Sequence, residues 1–299
     1  MLKIKYMKDT YFELDTEKRY KKGLNLSAMK SSEIVDLFID DHEIILKSLK
    51  KNKKKLILAS EIFFETYTKN SRIFFMGAGT SGRLGVIEAA ELPPTFGTNK
   101  NSIIGLIAGG NKALVTATEG AEDKKLLGIE NLKKNKIKKG DLIIGISASG
   151  RSEYVLSALK YYKKKGIKSV FITTNKLKKI VSDLDISFLV GPELISGSTR
   201  LKSGTVTKIA LNIITSMAMI KANKILNGLM IDIKPTTNKL RARCIRNTAI
   251  ILHLSLSKAE KLLIKSKWNI RVAIIMNNKS MGYKDALNAS QTLSVGEII

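Results

Sequence analysis

Two turns built from glycine and hydroxyl residues, with a glutamate downstream of the first, carry the chemistry legible in this chain. The first turn is Gly77-Ala78-Gly79-Thr80-Ser81-Gly82, preceded by the apolar run Arg72-Ile73-Phe74-Phe75-Met76 and followed by a helical stretch that ends at Pro93. The second is Ser147-Ala148-Ser149-Gly150-Arg151-Ser152, again between an apolar run and a helical stretch. A strand, a small-residue turn and a helix start make an anion site. Glycine lets backbone approach a ligand, hydroxyls donate hydrogen bonds, and the free N–H groups of a first helical turn favour negative charge. Gly79, Thr80 and Ser81 in one turn, and Ser147, Ser149, Gly150 and Ser152 in the other, are the candidate phosphate-binding residues. Two such turns on one sheet suit a sugar phosphate better than either alone. Glu91, just before Pro93 and Pro94, adds a carboxylate and so points to chemistry on the bound molecule.

The first turn also fits G-x-G-x-x-G, the dinucleotide pattern. Thr80 and Ser81 fill its variable positions, and no clear acidic residue ends a second strand about 20 residues on to hold a ribose. Simple strand-to-helix packing explains the same glycines.

The elements that must position these turns follow from periodicity. Apolar runs at 72–76, 103–108, 141–146, 168–173 and 186–190 read as strands, with helices near 81–91, 111–133 and 152–164 between them. The runs are continuously apolar, as buried parallel strands are. Alternation of this kind predicts a doubly wound α/β fold with a mainly parallel sheet, whose ligands bind beyond the carboxyl ends of the strands. A long helix is expected at about 204–227. Residues 1–69 read as an arm followed by helices, 70–237 as the sheet domain, and 238–299 as a small helical module with helices near 241–253, 257–266, 269–276 and 281–290. Ser257-Lys258-Ala259-Glu260 has the capping-box pattern. His42, between Asp41 and Glu43, reads as a solvated link between helices, His253 as a packing residue, and Glu88 as solvated or salt-bridged.

At 299 residues and 44% hydrophobic content the chain can bury a substantial core. Its one cysteine, Cys244, rules out an internal disulfide and a cysteine zinc cluster. No apolar run is expected to reach bilayer-spanning length, and Met1 to Lys8 has no signal-peptide core. Those readings predict a cytoplasmic protein with no membrane partner. The net charge of +26 is extreme. Its lysines are spread along the chain, at 51–55, 133–139, 163–165 and 176–179, without stacking aromatics between them. Specific nucleic-acid binding is therefore not expected, although the field would draw in an anionic substrate.

The pair of turns resembles the sugar isomerase (SIS) domain, a family that binds phosphosugars. The resemblance extends through Gly77-Ala-Gly-Thr-Ser-Gly-Arg-Leu-Gly85, Ala90-Glu-Leu-Pro-Pro-Thr-Phe-Gly97, Leu106-Ile-Ala-Gly-Gly110, Glu119-Gly-Ala-Glu-Asp123 and the run from Gly191 to Gly204. Together these motifs are similar to the N-acetylmuramic acid 6-phosphate etherases, SIS enzymes akin to glucokinase regulatory protein, from about 71 to 235. Thr16-Glu-Lys-Arg19 also fits, with Tyr20 standing where that family has Asn. The resemblance implies a lyase acting on a phosphorylated amino sugar. It implies no metal and no redox cofactor, because two carboxylates suffice: one takes the C2 proton of an open-chain aldehyde, the other protonates the departing lactate oxygen. By motif match Glu91 and Glu122 are that pair, and the favoured split has Glu91 as the acid and Glu122 as the base; spacing alone would not choose Glu122 over Glu119 or Asp123. A regulatory phosphosugar-binding protein and a phosphosugar isomerase are the competing readings. If the helix runs unbroken from Ser81 to Glu91, its ends lie about 15 Å apart, too far for one small sugar. Either that helix is short or bent, or Glu91 serves a second subunit, which favours a homodimer.

Overall fold

A computed structural model describes residues 11–20, 25–293 and 295–298; the N-terminal segment read for a signal peptide, including Tyr6, lies outside these. Three helices come first, α1 (Ser31–Asp41), α2 (Glu43–Lys51) and α3 (Lys53–Thr68). The sheet region follows as β1 (Ile73–Gly77), α4 (Gly79–Phe96), β2 (Ile103–Ile107), α5 (Lys112–Val115), α6 (Lys125–Lys134), β3 (Leu142–Ile146), α7 (Glu153–Lys163), β4 (Lys168–Thr173), β5 (Leu184–Ser187) and α8 (Lys202–Lys221). A two-stranded hairpin, β6 (Ile225–Leu226) and β7 (Leu229–Met230), leads to α9 (Asn238–Leu252), α10 (Leu256–Lys265), α11 (Ile270–Asn278), α12 (Tyr283–Thr292) and α13 (Val295–Ile298).

The five main strands are all parallel, in the order β2-β1-β3-β4-β5. The doubly wound α/β expectation therefore holds. The order reverses between β1 and β3, and Gly77 pairs with Ile146 there, so the two turns leave the sheet at one level. Alternating side chains serve the two faces. Phe74, Met76, Ile143 and Phe171 pack with Leu132, Tyr154, Ala158 and Tyr162 of α6 and α7. On the other face Phe75 meets Phe63 of α3, with ring centroids 6.2 Å apart. The strand starts are fixed by buried Asp141, which accepts from the Arg72 amide at 2.9 Å and pairs with its guanidinium at 2.8 Å.

Two compact units are present, one comprising the chain up to Ala89 together with Asn101–Thr215, the other Ala90–Lys100 together with Ser216–Ile299. Helices α1–α3 thus belong with the sheet, and the division falls within α4 and α8. In the first unit buried Glu88 accepts from Thr215 Oγ1 at 2.6 Å and Asn212 Nδ2 at 3.1 Å and pairs with Lys208 at 3.0 Å, which fixes α4 against α8. The α8 N-terminus is capped by buried Glu193, which accepts from the Lys202 and Ser203 amides at 3.0 and 2.9 Å. Lys202 is itself buried, pairs with Asp41 at 2.7 Å and lies 5.1 Å from the Tyr20 ring centre. In the second unit Cys244, Leu263, Ile270, Ile274 and Ala286 form a separate core.

Several expected details change. The helix at 111–133 is broken between Val115 and Lys125, where Gly120 takes a left-handed φ of 68° ahead of a 3-10 turn at Ala121–Asp123. The fifth strand starts earlier than expected because Asp185 accepts from the Val181 and Ser182 amides and turns the chain there. Ser255, not Ser257, caps α10, accepting from the Lys258 amide at 3.3 Å. His253 is exposed and ends α9 with a φ of 54°, so it does not pack as expected. His42 does link two helices, its Nδ1 lying 2.6 Å from Phe38 O. Contrary to the expectation of no bilayer-length apolar run, α8 has 20 residues and a window of mean hydropathy 1.2, long and apolar enough by length and composition alone. Core helices meet the same test, and 56% of that window is buried within the protein.

Candidate active site

The sequence builds the site at the carboxyl ends of β1 and β3, where the strand order reverses. At the first turn the glycines do different jobs. A Cβ on Gly77 would lie 2.7 Å from Gly82 N, and one on Gly82 would lie 2.6 Å from Gly77 O. These two glycines let the strand end touch the helix start. Gly79 has a φ of 53° and open space beside it, and it opens α4 toward the cavity.

That cavity has a volume of about 370 Å³. Gly79, Thr80, Ser81, Ser147, Ser149 and Ser152 all line it, as does Glu122. Two expected residues lie elsewhere. Gly150 is buried with a φ of 69°, and a Cβ there would sit 3.0 Å from Thr173 Oγ1, so it shapes the turn rather than facing the cavity. Glu91 is exposed and belongs to the second compact unit, whereas the cavity is built by the first. Helix α4 is continuous from Gly79 through Pro93 and Pro94 to Phe96, so it is not short.

The serine loop is internally braced. Ser147 Oγ accepts from the Ser152 amide at 3.3 Å, and Ser149 Oγ accepts from the Arg151 amide at 3.1 Å. The two hydroxyls also lie 3.4 Å from each other, so one donates to the other, and that proton must turn away for both to donate to an anion. Ser152 Oγ instead donates to the Glu122 carbonyl at 3.4 Å, bringing the segment after β2 to the start of α7.

Sequence reasoning missed four contributors. Glu17, Arg83, Glu119 and Thr199 also line the cavity. Glu17 comes from a strap, residues 11–20, held by buried Thr16. The Asp15 amide donates to Asn175 Oδ1 at 2.9 Å, Asn175 Nδ2 donates to Thr16 Oγ1 at 3.1 Å and to Ala148 O at 3.0 Å, and the Gly197 amide donates to Thr16 O at 2.9 Å. Asn175 thus ties the strap to the serine loop. Thr16-Glu17-Lys18-Arg19 and the Gly191–Gly204 run were the available signals, both legible as motifs without a location.

Glu17, Glu119 and Glu122 make one wall carboxylate-rich. Glu122 stays open to solvent at the rim, yet the protein around it strips enough water to raise its pKa. Repulsion from Asp123, Glu119 and Glu17 raises it further. No described side chain pairs with its carboxyl group, in a chain that has 52 Lys and Arg against 26 Asp and Glu. An unpaired acid with a raised pKa beside an anion cradle is suited to exchange protons with a bound phosphosugar. Cys244 is no nucleophile candidate, since burial pushes its thiol up to about 11.

A parallel sheet reversing between two hydroxyl turns defines an SIS-type phosphosugar domain, and the family comparisons agree. The model described as SIS domain matches residues 129–217, and that described as glucokinase regulatory protein N-terminal SIS domain matches residues 55–163. The N-acetylmuramic acid 6-phosphate etherase of Francisella tularensis subsp. holarctica is 40% identical over 279 residues, covering 92% of this chain and 94% of the relative. That of Alkaliphilus metalliredigens is 41% identical over 276 residues, with 92% and 90% covered. That of Mycoplasma mycoides subsp. mycoides SC is 37% identical over 281 residues, with 92% of each covered. The chain belongs to the N-acetylmuramic acid 6-phosphate etherase family.

Proposed function

We propose that this protein is a carbon–oxygen lyase that cleaves the D-lactyl ether of N-acetylmuramic acid 6-phosphate, yielding N-acetylglucosamine 6-phosphate and D-lactate. The phosphate rests on the hydroxyls of Thr80, Ser81, Ser147 and Ser149 and on the α4 N-terminus. The sugar reacts as its open-chain aldehyde, whose carbonyl makes the C2 proton acidic. Glu122 takes that proton. The C2 electron pair forms the C2–C3 double bond and expels the lactate oxygen from C3. An acid protonates this otherwise poor leaving group. Water then adds at C3 of the unsaturated aldehyde, and C2 regains a proton.

The observation that carries this reading is Glu122 and the serine loop lining one cavity, joined through Ser152. Relatives that share 37–41% of their residues with this chain and bear the etherase name support the substrate. Glu91 is the proposed acid. The proposed arrangement has it act from the partner subunit of a homodimer. A reducing cytoplasm is the proposed setting.

The test is lactate release from N-acetylmuramic acid 6-phosphate, followed with Glu122→Gln and Glu91→Gln. Proton transfer contributes about 10²–10⁴-fold, and each variant should lose that much turnover while still binding phosphosugar. Glu122→Gln should also fail to exchange the C2 hydrogen of product with deuterium, whereas Glu91→Gln should retain some exchange. A protein that binds the phosphosugar without releasing lactate would be the regulatory type; one that converts aldose to ketose would be an isomerase.

A further inference from the structure

The proposed substrate carries two anionic groups, a phosphate and the lactyl carboxylate, and the hydroxyl turns answer only the first. Among the described residues that line the cavity, Arg83 alone is cationic, although the chain contains 52 Lys and Arg. Arg83 lies in the first turns of α4. Its Nε donates to Leu114 O at 3.1 Å, while no described residue partners its Nη nitrogens. Leu114 follows β2, whereas the serine loop follows β3, and β2 and β3 flank β1 on opposite sides. The guanidinium is thus braced on the side of the β1 turn away from the serine loop, with its outer edge unused. A planar fork held by one nitrogen and open at the other two matches a carboxylate bidentately.

We propose that Arg83 binds the lactyl carboxylate and so selects for an acidic ether at C3. This rests on the etherase reading. Held there, the lactyl group keeps its ether oxygen fixed while the C3–O bond breaks, and the guanidinium offsets the repulsion that Glu17, Glu119 and Glu122 would exert on an anionic leaving group.

The test compares N-acetylmuramic acid 6-phosphate with the same molecule bearing a lactyl primary amide, together with binding of N-acetylglucosamine 6-phosphate, which has no lactyl group. The wild-type enzyme should prefer the carboxylate by about 10²-fold in kcat/KM, the size expected when a charged hydrogen-bonding site meets a ligand lacking its partner. Arg83→Gln should reduce that preference to within about threefold and leave product affinity within about threefold of wild type. Equal loss on both substrates, or an equal loss of product binding, would overturn the proposal by making Arg83 a phosphate or framework residue. If Arg83→Gln does not fold, Arg83→Lys decides: it keeps charge but loses the fork, so a reduced preference supports the proposal and an unchanged one overturns it. Wild-type enzyme that releases lactate from neither substrate defeats the etherase reading itself. Wild-type enzyme that does so, without preferring the carboxylate, defeats only the role of Arg83.

Discussion

The Ser152 hydroxyl donates to the backbone carbonyl of Glu122 at 3.4 Å, joining the loop that would hold phosphate to the loop that carries the proposed base. The two belong to different strand ends, so their spacing depends on this contact and on the packing of the Ala121–Asp123 turn.

Ser149 and Ser152 should therefore behave differently on truncation. Ser149→Ala removes a cavity-facing donor and should weaken phosphosugar binding by about 1–3 kcal/mol, read as raised KM. Ser152→Ala releases the Glu122 segment and should lower kcat as well. Steady-state kinetics of both variants separate the roles; a pure KM effect in Ser152→Ala would show that the contact does not position Glu122.

Acid–base behaviour should follow the carboxylate wall. Desolvation first, then Asp123, Glu119 and Glu17, raise the Glu122 pKa above its ordinary 4.5. As a base it works ionised, so kcat/KM should climb with pH through that raised value. Glu119→Gln removes a like charge and should move the acidic limb to lower pH. Stability runs the other way. The folded chain holds this proton to higher pH than the unfolded chain, so ionising Glu122 costs stability as pH rises through the window above 4.5. Glu122→Gln should melt higher than wild type near about pH 8 and show no such gain near about pH 4, below the window.

A shared site predicts complementation. In a hybrid dimer of a Glu91→Gln chain and a Glu122→Gln chain, one site has both substitutions and the other has neither. Tagged hybrids should recover about half of wild-type turnover per dimer, while each parent homodimer stays inactive. Verified hybrids with no recovery would place both groups within one chain.

The Lys202–Asp41 pair supplies a stability prediction. Their side chains are 2% and 7% exposed, so Lys202→Met leaves a buried carboxylate without its partner. Urea unfolding should show a loss of about 3–5 kcal/mol, and adding Asp41→Leu should return part of it.

Much of the fold could be read from the chain because parallel strands buried on both faces leave continuous apolar runs, and all five are seen. The hydroxyl turns were equally legible, since their residue types are the chemistry. Glu122 was harder. Residues 111–133 contain enough Leu, Ile and Lys to suggest one helix, and only Gly120, in a backbone region that other residues avoid, marks the break that brings Glu119 and Glu122 to the cavity. Glu17 sat in a legible motif, but nothing local placed it at the cavity. It reaches the cavity through hydrogen bonds between Thr16 and Asn175, 159 positions apart, and no local pattern records such a pairing. The length of α4 was also underestimated. Pro93 and Pro94 suggested a stop, yet the helix continues to Phe96.

Among the described residues, the phosphate cradle is built from hydroxyls and a helix end, with no lysine in it. Such donors keep their protons across the physiological range and attract no counterion cloud of their own. Apart from Arg83 at the lactyl end, the chain's charge of +26 would then act on the journey and not on the grip. Raising ionic strength should slow substrate arrival while leaving its rate of departure nearly constant, so that the salt dependence of affinity resides in the on-rate.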